Sequence, residues 1–257
     1  MKEKREVIHM ALYAISFSPT GGTAKCAALL AAGLGDAQTM DITVRCAPCD
    51  FSGNDICIVA VPSYAGRVPA AALPRLRSLS GNGARAIAMV VFGNRAADDA
   101  LLELKNELDA LGFVTVAGVE AVAEHSIVRL FGAGRPNAED ASELLTYGEN
   151  IREKLLAGET GVELPGNDPY KPYGSSPMKP TAGDGCDGCG ICAKECPVGA
   201  IDPASPQGVN TGICISCMRC ISRCPKSVRG LPQEALDAAA TRMAAVCGGH
   251  KPNKLYL

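Results

Sequence analysis

Eight cysteines between residues 186 and 224 constrain this chain more than any other feature, because the same spacing occurs twice. The first run is Cys186-x2-Cys189-x2-Cys192-x3-Cys196-Pro197, and the second is Cys214-x2-Cys217-x2-Cys220-x3-Cys224-Pro225. Three thiolates at two-residue gaps let a short loop turn about one iron–sulfide cube with its amides aimed at the sulfurs, while the fourth cysteine of each run serves the other cube. Soft thiolates suit iron held with sulfide, and a four-iron cube needs four of them. The pattern therefore predicts two [4Fe–4S] clusters, one on Cys186, Cys189, Cys192 and Cys224 and the other on Cys214, Cys217, Cys220 and Cys196. Pro197 and Pro225 turn the chain away after the last ligand. Structural zinc is the rival, but it favours two separated ligand pairs rather than three cysteines followed by a Cys-Pro.

The rest of the composition narrows the setting. With 257 residues, 47% hydrophobic and 20% charged, the chain can bury a substantial core. A net charge of −2 gives no reason to expect nucleic acid or an anionic membrane as partner. The apolar runs stop short of a membrane-spanning length, and the charged start Met1–Glu6 leads into no cleavage site, so a cytoplasmic location is expected. Thirteen cysteines in such a chain point to cofactor rather than disulfides. Of the five outside the block, Cys26 and Cys57 are expected to pack as small hydrophobes, Cys46 and Cys49 as loop residues of an isolated CxxC, and Cys247 has no evident partner.

From Gly183 to Gly230 the chain resembles the 2[4Fe–4S] bacterial ferredoxins, including Cys-Pro-Val-Gly-Ala-Ile at 196–201. The resemblance implies a small α+β module with pseudo-two-fold symmetry that acts as a one-electron carrier.

Residues 10–156 alternate between strand and helix periods. Strands are expected near Met10–Phe17, Met40–Val44, Ile56–Val61, Ala86–Phe92 and Phe113–Ala121. Helices are expected over Thr23–Leu34, Pro69–Leu79, Ala97–Leu111 and Ala138–Leu156. That alternation predicts a doubly wound α/β fold with a five-stranded parallel sheet, whose ligand sits beyond the carboxyl ends of the strands. The loop after the first strand, Ser18-Pro19-Thr20-Gly21-Gly22-Thr23, is rich in hydroxyls and glycine and opens a helix, which suits a phosphate. No GxxxxGK[ST] or complete GxGxxG is present, so neither a P-loop nor a built-in nicotinamide site is expected.

That loop resembles the FMN phosphate loop of flavodoxins, with Gly22 where the family has asparagine. The resemblance implies the strand order 2-1-3-4-5 and a flavin walled by the other strand-end loops. Those loops carry Pro62, Ser63, Tyr64, Ala65, Gly66 and Arg67, then Gly93, Asn94 and Arg95, then His125. Tyr64 is expected to stack on the ring, since the chain has no Trp.

Residues 159–182, rich in Pro, Gly and Ser, form the expected connector between a domain at 1–158 and one at 183–257. A helix over Pro232–Cys247 is expected to pack on the cluster module. As a whole the chain resembles flavodoxin–ferredoxin fusion proteins of anaerobes, which implies electron transfer with redox-protein partners. Three readings stay open: an oxidoreductase joining FMN to two clusters, with or without a small substrate at the flavin; a carrier with no substrate chemistry; and a cluster-based redox sensor.

Overall fold

The computed structural model of the protein describes residues 11–257. Met10 of the first expected strand, and the charged start, lie outside the described residues. Six strands form the central sheet: β1 (Leu12–Ser16), β2 (Ala37–Asp41), β3 (Ile56–Pro62), β4 (Arg85–Phe92), β5 (Val114–Val122) and β6 (Lys254–Tyr256). They lie in the order β6-β5-β4-β3-β1-β2. The first five are mutually parallel in the order 2-1-3-4-5 of the flavodoxin-like doubly wound folds. β6 pairs antiparallel with β5, Leu255 opposite Val119, so the end of the chain returns to the sheet that its beginning opened.

β3 and β4 are buried on both faces, which is why they read as unbroken apolar runs. Alternate residues then face opposite layers. Val59 and Val61 pack with Leu101, Leu104 and Leu108 of α2 (Ala100–Ala110). Ile58 and Ala60 pack with Ala27 and Leu30 of α1 (Gly22–Leu34) and with Leu144 and Ile151 of α3 (Ala138–Leu156). α1 and α3 touch backbone to backbone, since a Cβ on Gly33 would lie 2.9 Å from the Cα of Gly148. Cys26 and Cys57 are wholly buried in these layers, and burial pushes both thiols up, Cys26 to about 12.

Besides the added strand β6, three of the expected elements differ in the structure. β2 ends at Asp41, because Ile42 is buried and Thr43 turns inward to accept a hydrogen bond from the Ser18 amide at 2.7 Å. The helix expected over 69–79 is a single turn, Leu73–Leu76, in a segment where Pro69 and Pro74 supply no amide hydrogen. The tail helix α4 (Gln233–Cys247) packs not on the cysteine runs but on Val128 and Phe131 of the loop after β5 and on Met178 of the connector. The connector itself lies on the sheet domain. Leu164 joins its core, and Asp99 accepts hydrogen bonds from the amides of Asn167 and Lys171 at 2.9 and 2.7 Å. Among the described residues no helix is long and apolar enough to cross a membrane.

Candidate cofactor sites

At the carboxyl ends of β1, β3, β4 and β5 lies a cleft of about 390 Å³. The first loop enters it with Pro19, Thr20, Gly22 and Thr23. Gly21, at φ 94°, forms the turn into α1, and the Ser18 hydroxyl accepts the Ala24 amide at 2.9 Å. Ser18 and Gly21 therefore shape the loop from behind, while the Gly22 and Thr23 amides at the start of α1 are left to donate toward the cleft. Gly22 has a local reason: a Cβ there would lie 3.2 Å from that of Ala123, in the loop after β5.

Of the residues singled out in the sequence, Pro62, Ser63, Tyr64, Ala65, Gly93 and His125 line the walls of this cleft. Four other candidates are spent elsewhere. Arg67 forms a two-pronged pair with Glu103, both bonds at 2.8 Å, beneath the Tyr173 ring at 4.1 Å. Arg95 pairs with Asp98, and Gly66 is packed against the same Asp98. Asn94 is buried and donates to the carbonyls of Cys247 and Gly249 at 2.7 and 2.8 Å, joining the β4 loop to the chain end. Arginine and asparagine in a strand-end loop look alike in sequence whether they face a ligand or brace the loop.

Two titrating groups in the cleft are held neutral. Burial, with the Cys217 sulfur as a second cause, pushes the Tyr64 phenol well above its ordinary value. Burial lowers His125, whose Nδ1 accepts the amides of Ile127 and Val128 at 3.2 and 3.0 Å. That leaves the imidazole proton on Nε2.

The remaining wall was not foreseen. It comes from the connector, Tyr173–Ser176 and Lys179, and from Gly212, Ile213, Cys214, Ile215 and Ser216 of the second cysteine run. Lys179 Nζ donates to the Cys214 carbonyl and, at 3.1 Å, to Ser216 Oγ. Buried Arg219, between Cys217 and Cys220, reaches the phosphate-type loop, with Pro19 O at 3.3 Å and Glu195 at 2.6 Å. Neither basic side chain belongs to a motif that would have signalled it.

The cysteine runs fold as two matching halves. Thr181–Ala182 pairs antiparallel with Arg229–Gly230. Each half opens a helical turn, Ile191–Lys194 or Arg219–Ser222, from a left-handed residue, Gly190 at φ 71° or Met218 at φ 61°. Ser216 repeats at φ 54° what Gly188 does at φ 73°, so the second run holds non-glycine residues in left-handed backbone. One cavity is lined by Cys186, Cys189, Cys192 and Cys224, three from the first run and the last from the second. Cys217 is pushed up to about 12 by burial first, against a bond from the Arg219 amide, and by its neighbours Cys220, Cys196 and Cys214.

These surroundings fit thiolate ligands of a metal cluster. Ala200 donates its amide to Cys196 Sγ at 3.2 Å, and Ser216 donates to Cys214 Sγ at 3.4 Å. For Cys224, burial acts upward but the amides of Val228, Lys226, Arg229 and Ser227 outweigh it and lower the thiol. Half-buried sulfurs furnished with amide donors, with buried Cys217 among them, call for a cation beside them when deprotonated, and cluster iron would supply it. Among the described residues no three ligand side chains converge on a single-ion point.

Residues 185–229 match the family model described as a 4Fe-4S dicluster domain. No curated protein matches the chain. Among solved structures, the chain is similar to an NADH:FMN oxidoreductase in its apo form at 21% identity, covering 57% of this chain and 90% of that one with a TM-score of 0.41. It is similar to oxidised flavodoxin 1 from Bacillus cereus at 18% identity, covering 56% and 97%, TM-score 0.42. Against the metal-soaked flavodiiron core from Synechocystis sp. PCC6803 the identity is 14%, the TM-score is 0.41, and 58% of this chain spans only 37% of that one. The assignment of the fold rests on the strand order. Fold and site together define a flavodoxin-like α/β domain joined to a ferredoxin-type iron–sulfur segment. The chain is accordingly an iron–sulfur protein of electron-transfer architecture.

Proposed function

We propose that this chain is an iron–sulfur flavoprotein oxidoreductase that holds FMN in the cleft and two [4Fe–4S] clusters on its eight paired cysteines. Bound there, the flavin supplies exchange of electrons in pairs or singly, and each cluster supplies exchange of one at a time. In this reading residues 1–158 hold FMN, residues 159–182 bridge, and the clusters lie within 183–257. Cys186, Cys189, Cys192 and Cys224 hold one cluster, and Cys196, Cys214, Cys217 and Cys220 the other.

The observation that carries the proposal is the shared wall of the cleft. The same space is bounded by the phosphate-type loop, by Tyr64 and His125, and by Gly212–Ser216, the loop bearing the Cys214 ligand. A ligand seated on the α1 amides and against Tyr64 thereby lies in the space bounded by the loop that bears Cys214. The chain's own groups do the rest. Amides of α1 donate to an anion, Tyr64 and His125 offer neutral polar contacts, and Tyr173–Ser176 with the cluster loop restrict water. The first thiol set, with exposed Cys189, is the natural contact for a redox protein. The same roofing of the cleft favours a second reading, a relay with no small substrate.

Anaerobic purification followed by quantitation of released flavin and iron tests the proposal. About one FMN and about eight irons per chain are expected. Eight irons with no flavin, even after incubation with FMN, would leave a ferredoxin-type carrier on an empty cleft and overturn the flavin assignment.

A further inference from the structure

The two cysteine runs repeat each other closely enough that a departure from the repeat is conspicuous. Five residues after Cys196 stands Ile201, 3% exposed, and five residues after Cys224 stands Arg229, 4% exposed. Matching places in the two halves thus hold an apolar side chain in one and a buried cation in the other. The guanidinium is fixed by four carbonyls. Nη1 donates to Pro206 at 2.6 Å and Gln207 at 3.5 Å, and Nη2 to Gly208 at 2.9 Å and Pro180 at 3.1 Å. Its Nε is buried without a partner.

Carbonyls orient a guanidinium but do not neutralise it. The ion pairs of this half join Arg219 and Arg223 to Glu195 and Lys226 to Asp187, and Arg229 has no carboxylate among the described residues. A buried cation without an opposing charge is costly. What faces it instead is the first thiol set. Nη1 lies 3.8 Å from Cys192 Sγ, and Arg229 lines the cavity bounded by Cys186, Cys189, Cys192 and Cys224.

We propose that Arg229 is the counter-charge of the cluster on Cys186, Cys189, Cys192 and Cys224, a positioning residue that raises the reduction potential of that cluster. The inference rests on the two-cluster reading above. Each electron added to a thiolate-bound cluster adds negative charge, so a fixed cation against its sulfurs favours the reduced form. Because the guanidinium touches a ligand of this set, and Ile201 in the matching place contributes no such charge, its removal acts on one cluster of the pair.

The test is an anaerobic redox titration of the full chain, followed by electron paramagnetic resonance with iron counted in the same samples. In Arg229→Gln one of the two midpoints falls, the ratio of reduced to oxidised cluster at fixed potential dropping about tenfold or more, which is about 59 mV for a one-electron couple. Arg229→Lys keeps the charge and stays within about threefold of wild type. Two clusters with unmoved midpoints in Arg229→Gln overturn the inference and leave the two-cluster reading standing. Wild-type protein with only about four irons overturns that reading first. If Arg229→Gln loses iron, Arg229→Lys decides. Wild-type iron and midpoints in the lysine variant support the counter-charge, and loss of iron there shows that the carbonyl-bound fork, not the charge, is what the site requires.

Discussion

His125 illustrates how one side chain can tie cleft shape to pH. Its Nδ1 must stay unprotonated to accept the amides of Ile127 and Val128, the loop against which α4 packs. Burial lowers its folded value below the ordinary 6.5. The sign follows: an unfolded chain takes up the proton first as pH falls, so the stability His125 contributes is complete above about 6.5 and declines through the window beneath it. Thermal stability is expected to fall between pH 7.5 and 5.5, a tenfold difference in proton affinity between the folded and unfolded chain corresponding to about 1.4 kcal/mol. His125→Gln, which keeps an acceptor but gains no proton, is expected to flatten that slope; an equal slope in the variant would assign the dependence to another group. Nothing local to Ala123-Glu124-His125-Ser126 signals the amides that fix the ring, because they come from a turn whose shape is set by Phe131 and α4. The strand-end position was legible, whereas the partners of Arg67, Asn94 and Arg95 were not, since loop-bracing and ligand-facing side chains share the same chemistry.

Among the elements, the strong periods of α1, α2, α3 and the buried strands could be read from the sequence because each buries a long apolar face. β6 could not, for three residues, Lys254-Leu255-Tyr256, carry no period at all. What places it is Asn253, buried at 3% exposure. Its Oδ1 accepts the Val122 amide at 2.8 Å, and its Nδ2 donates to Asp140 at 3.0 Å and Glu143 at 2.6 Å. Asp140 in turn belongs to the capping box of α3 with Asn137 and pairs with buried Arg135. Although burial acts upward on this carboxyl, Arg135, the Asn137 amide and Asn253 together hold it down at about 2, so the pair persists over the whole range in which the protein is handled. Asn253→Ala strands the Val122 amide and two carboxylate contacts, and a loss of about 2–4 kcal/mol is expected. Hydrogen exchange gives the finer check, with faster exchange confined to the β5–β6 ladder. A loss below about 0.5 kcal/mol would mean that the strand is held by its backbone pairing and not by Asn253.

At the scale of the whole molecule, the sequence told of two kinds of site but not of how they adjoin. The cysteine spacing specifies its own local geometry, whereas the meeting of cleft and cluster loop depends on a connector laid along the sheet domain and on basic residues that no motif specifies, Lys179 and, at a variable position of the second run, Arg219. Their arrangement sets an order. The thiol set of Cys196, Cys214, Cys217 and Cys220 shares a wall with the cleft, and the set of Cys186, Cys189, Cys192 and Cys224 lies apart from it. Cys217 sits at 8% exposure near Tyr64, while Cys189 is exposed. Breaking the inner site should therefore separate the cleft from everything beyond it, and breaking the outer site should spare the first exchange. On the proposed reading, in protein loaded with FMN and reduced by light, cluster reduction in Cys189→Ser is expected within about twofold of wild type, with delivery to cytochrome c slowed about tenfold or more. In Cys217→Ser the first exchange itself is expected to slow about tenfold or more, whatever iron the outer site retains. Should the two variants exchange these behaviours, the outer set would be the one that communicates with the cleft, and the shared wall formed by Gly212–Ser216 would be packing rather than a route.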